Sequence, residues 1–378
     1  MKVGILTLPL TNNYGGHLQA WALQTVLERE GYDNILLDIR RSDEKKYNLS
    51  LPLKSFLAYF IKFLPGKSNY HYFDYRKFQE RNFCRFREEQ FTKTSKIYDS
   101  KQLKKDANNL GLDALVVGSD QVWRKWEMVP LDIYFLSWLK LNIKCLGYAI
   151  SYGKTKWDLS ERETAAYAEL AKRFTGLSMR EKDGVRLTKE HLGLDSEHVL
   201  DPTMLLDKSD YLKLCGVDGL YRDKGLFYYV LDQTEQEKKL ISICSEFLGT
   251  HAFEVMPKAR WFDPMKKCPK EEYVYPSIQE WILAFATSSF VVTDSFHGTV
   301  FSIIFNKPFI VLGNEYRGLS RIHSLLSMFG LESRLIVNGD VAMAKAMLSS
   351  SIDWNMVNET REQWKRVSLE FLHKNLDK

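Results

Sequence analysis

Short β-branched and aliphatic runs alternate with longer amphipathic stretches for most of this chain, and that rhythm is the pattern of a doubly wound α/β architecture. Strands are expected near Lys2–Thr7, Asn34–Asp38, Ala114–Val117, Lys144–Ile150 and Gly176–Met179, with helices such as Gly16–Glu30 and Ser160–Phe174 between them. A last short strand precedes Asp201-Pro202. Beyond it, strands near Gly225–Leu231, Phe290–Thr293, Phe309–Leu312 and Leu335–Val337 alternate with helices near Glu235–Leu248, Ile278–Thr287, Gly298–Asn306 and Arg321–Phe329. At 378 residues the chain exceeds what one core usually fills, so two domains are expected, 1–205 and 206–350. Residues 351–378 carry helical spacing at Trp364, Val367, Phe371 and Leu372, which predicts a closing helix packed back on the first domain.

Residues 40–105 break the rhythm with a basic and aromatic insertion, too long for a bare loop. It is either a helical insertion packed on the first domain or a surface for an anionic or lipid-linked acceptor. Within it, 51–64 mixes Phe56, Tyr59, Phe60 and Phe63 with Lys54 and Lys62, a composition suited to weak, reversible contact with a membrane surface. It falls short of the ~17 residues that span a bilayer. The N-terminal apolar run ends in Thr11-Asn12-Asn13 and not in a cleavage site, which predicts a first strand and a cytoplasmic protein, peripheral at most at the inner face of the membrane. Five scattered cysteines form no CxxC pair, and a charge of +5 spread over this length does not mark a nucleic-acid binder.

In open α/β sheets ligands sit beyond the carboxyl ends of the strands, so the polar residues that follow strands are the candidates. After the first strand comes Asn12-Asn13-Tyr14-Gly15-Gly16-His17-Leu18-Gln19, where a glycine pair leads into a helix, either to admit a ligand or as a plain turn and cap. Gly118-Ser119-Asp120-Gln121-Val122-Trp123 sends a carboxylate and an amide from the next exit, where Asp120 is either functional or an N-cap. Arg180 ends a strand, either gripping an anion through its planar fork or lying solvated. The strongest candidate is Asp294-Ser295-Phe296-His297-Gly298-Thr299, which places an imidazole and hydroxyls at a helix N-terminus, either as a phosphate site or with His297 as a structural histidine. Arg317 and Arg321 flank the next exit. No P-loop, GxGxxG, HExxH or GxSxG signature is present, nor the Asp-x-Asp pair of a metal-dependent nucleotide-sugar transferase, and no metal or cofactor is expected.

Taken in order, Asn13-Tyr14-Gly15-Gly16 with Leu18-Gln19, Gly118 to Trp123, Arg180-Glu181-Lys182-Asp183-Gly184, Asp201-Pro202-Thr203 and Asp294 to Thr299 resemble the polysaccharide pyruvyl transferase family, from the first strand to about Arg334. The resemblance implies α/β architecture with two Rossmann-like domains facing across a cleft, as in GT-B glycosyltransferases. It further implies phosphoenolpyruvate as donor substrate and a sugar diol as acceptor, expected on a lipid-linked glycan. Arg180 and His297 then meet the need for cations and for an acid that protonates the donor's methylene carbon, while Asp120, and after it Asp294, are candidate bases. Ser295, Gly298, Thr299, Arg317 and Arg321 complete the expected donor site, and Asn13, Tyr14, Gly15, His17, Ser119 and Gln121 the acceptor side. Ser295 departs from the family pattern, which has arginine there, so Arg317, Arg321 or a lysine is expected to supply that charge. Because Arg180 and His297 should line a solvent-filled cleft, their alanine variants are expected to keep the fold. The competing readings are a nucleotide-sugar glycosyltransferase of the same architecture and a non-catalytic glycan-binding relative.

Overall fold

The computed structural model describes residues 1–39, 78–91, 93–97, 100–125, 130–140, 142–217, 223–259, 269–313, 319–337 and 339–377. The first half contains β1 (Lys2–Leu6), α1 (Tyr14–Arg29), β2 (Asp33–Ile39), α2 (Arg81–Gln90), β3 (Thr94–Ile97), α3 (Ser100–Asn109), β4 (Ala114–Asp120), β5 (Lys144–Ile150), α4 (Glu161–Ala171), β6 (Gly176–Met179), α5 (Lys182–Leu187) and β7 (Glu197–His198). The second half contains α6 (Lys208–Leu214), β8 (Leu226–Tyr229), α7 (Glu235–Phe247), β9 (Ala252–Phe253), α8 (Ile278–Thr287), β10 (Phe290–Thr293), α9 (Phe296–Ile304), β11 (Phe309–Leu312), α10 (Leu319–Phe329), β12 (Leu335–Ile336), α11 (Val341–Ser349) and α12 (Trp354–Leu376).

Two parallel sheets result, of order β3-β2-β1-β4-β5-β6-β7 and β12-β11-β10-β8-β9. Both are Rossmann-like, with the chain reversing direction across the sheet between β1 and β4 in the first and between β8 and β10 in the second. The central strands are apolar because helices cover both sheet faces, and β4 and β10 are buried throughout. Capping boxes start four of the described helices: Ser160 with Glu163 at α4, Asp207 with Asp210 at α6, Thr234 with Glu237 at α7, and Ser277 with Glu280 at α8. The polar strand β3, on the edge of its sheet, and the two-residue β9 were not expected from the sequence.

A single aromatic core joins the two halves on the α1 side. Tyr14 stacks on Trp281 at 5.4 Å, Trp281 meets Phe301 at 4.9 Å, Phe301 meets Tyr211 at 4.8 Å, and Tyr211 meets Trp21 at 5.7 Å. Within the insertion, α2 buries Phe83 and Phe86; the expected membrane-contact segment 51–64 lies outside the described residues. Helix α12 hydrogen-bonds to the first half, where Ser368 Oγ accepts from Leu200 N at 3.0 Å and Leu376 O accepts from Lys144 Nζ at 2.6 Å. Phe371 and Leu372 are buried, whereas Val367, expected on the packed face, is 40% exposed. Among the described residues, no helix is long and apolar enough to cross a membrane.

Candidate functional site

The exits of β4, β6, β7 and β10 converge on one charged cluster. Asp120 ends β4 with φ of 75°, a left-handed conformation that is costly for a residue with a side chain and that clusters at functional sites. Its carbonyl accepts from Ser151 N at 3.1 Å and Val122 N at 2.8 Å, which pins the turn. Arg180 follows β6, and its guanidinium donates to Asp120 Oδ1 at 3.0 Å and to Asp201 Oδ2 at 2.8 Å. Asp201 Oδ1 accepts from Thr203 N at 3.0 Å and Thr203 Oγ1 at 2.6 Å, and its Oδ2 also accepts from Ser119 Oγ at 3.3 Å. From the second half, His297 brings Nε2 to 3.7 Å from Asp201 Oδ2, too far for a hydrogen bond yet close enough for charge attraction. That nitrogen is buried without a hydrogen-bond partner. Two cations lie over the Phe296 ring, the Arg180 guanidinium carbon 4.4 Å and that of Arg321 5.6 Å from its centroid.

The electrostatics follow from this packing. Burial by itself would raise the pKa of Asp120, but Arg180, His297 and Arg321 outweigh it and hold the carboxyl below its ordinary value. Asp201 is likewise held low, against its burial, by His297, Arg180 and Thr203. Burial first and Arg180 second push the Arg321 guanidinium down to about 10, opposed by Asp120 and Glu181. Glu181 is fully buried and its pKa is raised, mainly by that burial, although its Oε1 accepts from Ser151 Oγ at 2.9 Å, Tyr152 N at 3.0 Å and Gly153 N at 3.2 Å.

Several sequence expectations change at this point. Arg180 is not a solvated fork: its side chain is 1% exposed and both Nη atoms are committed to carboxylates, so its removal threatens the fold. Asp120 is a poor base, because it is paired with Arg180 and its pKa is depressed. Asp294, the second candidate base, has its two oxygens accepting from Leu231 N at 2.9 and 3.0 Å and from Asp232 N at 3.1 Å, bracing the β8 exit beside β10. Tyr14 and His17 lie in the core and not along a cleft. Tyr14 OH donates to Pro276 O at 2.9 Å, and the His17 ring stacks on Phe83 at 4.9 Å with Nδ1 2.9 Å from Asn13 O.

Asn13 caps α1, accepting from Gly16 N at 3.2 Å, and Gln121 Oε1 accepts from Arg124 Nη1 at 2.7 Å. Ser295 caps α9, accepting from Gly298 N at 3.4 Å. The Thr299 hydroxyl donates back to Ser295 O at 3.0 Å. Gly298 is required by close approach, since a Cβ there would lie 2.1 Å from Thr293 Oγ1. Arg317 lies outside the described residues. Asp201 belongs to the cluster although the sequence marked it only as part of the resemblance; an Asp-Pro-Thr at a strand exit, with its side chain accepting from the Thr203 amide, was the available signal.

Residues 13–316 match the sequence profile of the polysaccharide pyruvyl transferases. The chain belongs to that family. Its architecture is shared with solved structures of low sequence identity. A UDP-GlcNAc 2-epimerase from Methanocaldococcus jannaschii has 14% identity, covers 97% of this chain and 99% of its own, and superposes with a TM-score of 0.50. A UDP-N-acetylglucosamine 2-epimerase from Rickettsia bellii (11% identity) and a glycosyltransferase from Rickettsia africae (9%) each cover 100% of this chain and 97% of their own, both with a TM-score of 0.51. These likenesses establish the GT-B-like fold of this pyruvyl transferase family member. No curated protein matches the sequence.

Proposed function

We propose that this family member moves the enolpyruvyl group of phosphoenolpyruvate onto a sugar diol, forming a cyclic pyruvate ketal during assembly of a bacterial surface polysaccharide. The observation that carries the proposal is His297, whose buried, unbonded Nε2 faces Asp201 beside two arginines at the meeting of the domains. An imidazolium held there has the charge and the proton that the donor's carbons require. In the proposed sequence His297 protonates the methylene carbon, the neighbouring carbon gains oxocarbenium character, and the first sugar hydroxyl attacks it while returning its proton to His297. The carbon–oxygen bond to phosphate then breaks, the second hydroxyl closes the ketal, and its proton leaves with phosphate.

Arg321, in the buried layer beside Phe296, is the described cation best placed to offset the charge absent at Ser295. A lipid-linked glycan acceptor and peripheral membrane contact through 51–64 belong to the same proposal. The test is incubation of the purified protein with phosphoenolpyruvate and a panel of galactosides and mannosides, with phosphate release and ketal formation followed together. Transfer to one acceptor, abolished in His297→Ala, is expected. Absence of phosphate release across the panel, with thermal stabilisation by a nucleotide sugar and none by phosphoenolpyruvate, would overturn the proposal.

A further inference from the structure

The two glycines that open α1 are indistinguishable in the sequence and differ in space. A Cβ built on Gly16 would meet Asn13 at 3.4 Å, an ordinary contact. A Cβ on Gly15 would lie 2.0 Å from His297 Nδ1, 2.3 Å from its Cγ and 2.6 Å from its Cε1, inside the imidazole ring's own volume. Gly15 sits in the first turn of an ordinary α-helix, where alanine is the better helix former, so local conformation does not call for glycine. Close approach to a residue of the other domain does. On the opposite side the same ring has Asp201 Oδ2 3.7 Å from Nε2.

We propose that Gly15 is a positioning residue for His297: the bare backbone of the first turn of α1 is the wall that holds the imidazole with Nε2 toward Asp201. This rests on the proposed role of His297, and it assigns the first domain a part in aiming a side chain that the second domain carries. The shared core beside it explains how the wall is kept in place, because Tyr14, next in the chain, is stacked on Trp281 and hydrogen-bonded to Pro276. A side chain at position 15 must push the ring off Asp201 or part the domains at this point. Misplacing a reacting group by about 1 Å costs of order a hundredfold in rate.

The test is Gly15→Ala in protein labelled at histidine, with the His297 resonance assigned by its loss in His297→Ala and its position compared by NMR at one fixed pH. The expected result is a displaced His297 resonance, because the ring is pushed away from its place between the Gly15 backbone and Asp201 Oδ2. The kcat for phosphate release from phosphoenolpyruvate should fall of order a hundredfold with KM little changed. In Gly16→Ala the His297 resonance should coincide with the parent's. A parental His297 resonance in Gly15→Ala overturns the proposal, and this readout stands even if no acceptor supports transfer. Should Gly15→Ala fold poorly, its cost must vanish in a His297→Gly background, where the collision is gone; persistence of the full cost there also overturns it.

Discussion

Replacing Arg180 with alanine should destabilise the protein by about 3–5 kcal/mol at neutral pH, the range for removing one partner of a buried ion pair. The side chains of Arg180, Asp120 and Asp201 are 1%, 7% and 0% exposed, so solvent cannot take over when the guanidinium goes. Two carboxylates then share one dry pocket. Asp201 keeps its bonds from Thr203, whereas Asp120 loses its only side-chain donor among the described residues. In the parent both carboxyls titrate below their unfolded value, so their contribution is complete above about pH 4 and fades as pH falls toward the folded pKa. In the variant burial acts without the compensating charge and raises at least one pKa above the unfolded value. The folded state then binds a proton that the unfolded chain releases, and variant stability declines as pH rises from about 4 through the raised pKa. Urea unfolding followed by tryptophan fluorescence at pH 5 and pH 7 checks both statements. The deficit should be larger at pH 7, with Arg180→Lys intermediate, because a point charge serves one carboxylate better than two. A deficit under about 1 kcal/mol at pH 7, the level of an exposed pair, or one that grows toward pH 5, refutes the reasoning.

His297→Ala should lower phosphate release by roughly 10²–10⁴-fold in protein that is still folded, beyond any shift of the urea midpoint from the lost attraction to Asp201; paired kinetics and unfolding curves separate the two. Asp294→Ala should cost about 1–3 kcal/mol, because the Leu231 and Asp232 amides lose their acceptor, and the loss should appear in the melting temperature even without any ligand. Ser295→Ala removes the N-cap of α9 and should cost about 1 kcal/mol in the same measurement.

The alternation of apolar runs and amphipathic stretches was enough to locate the central strands, because a parallel strand covered on both faces must be apolar wherever it lies in the sheet. It was also enough to place Asp120, Arg180 and His297 at strand exits. Edge strand β3 escaped it, since Thr94-Ser95-Lys96-Ile97 has little burial to advertise. Periodicity reports which face a side chain occupies and carries no information on which strands become neighbours. Strand order brings Asp120, Arg180 and Asp201 together across 60 and 21 residues of separation, and so converts an expected anion fork into a closed ion triad. The packing of one domain on the other likewise buries Tyr14 under Trp281 and sets Gly15 against His297, while a Cβ on Gly16, chemically identical in the sequence, would meet Asn13 at an ordinary distance. Local sequence supplied the elements and the candidate chemistry; the tertiary structure decided which charges neutralise each other and which glycine matters, because those depend on contacts between residues far apart in the chain.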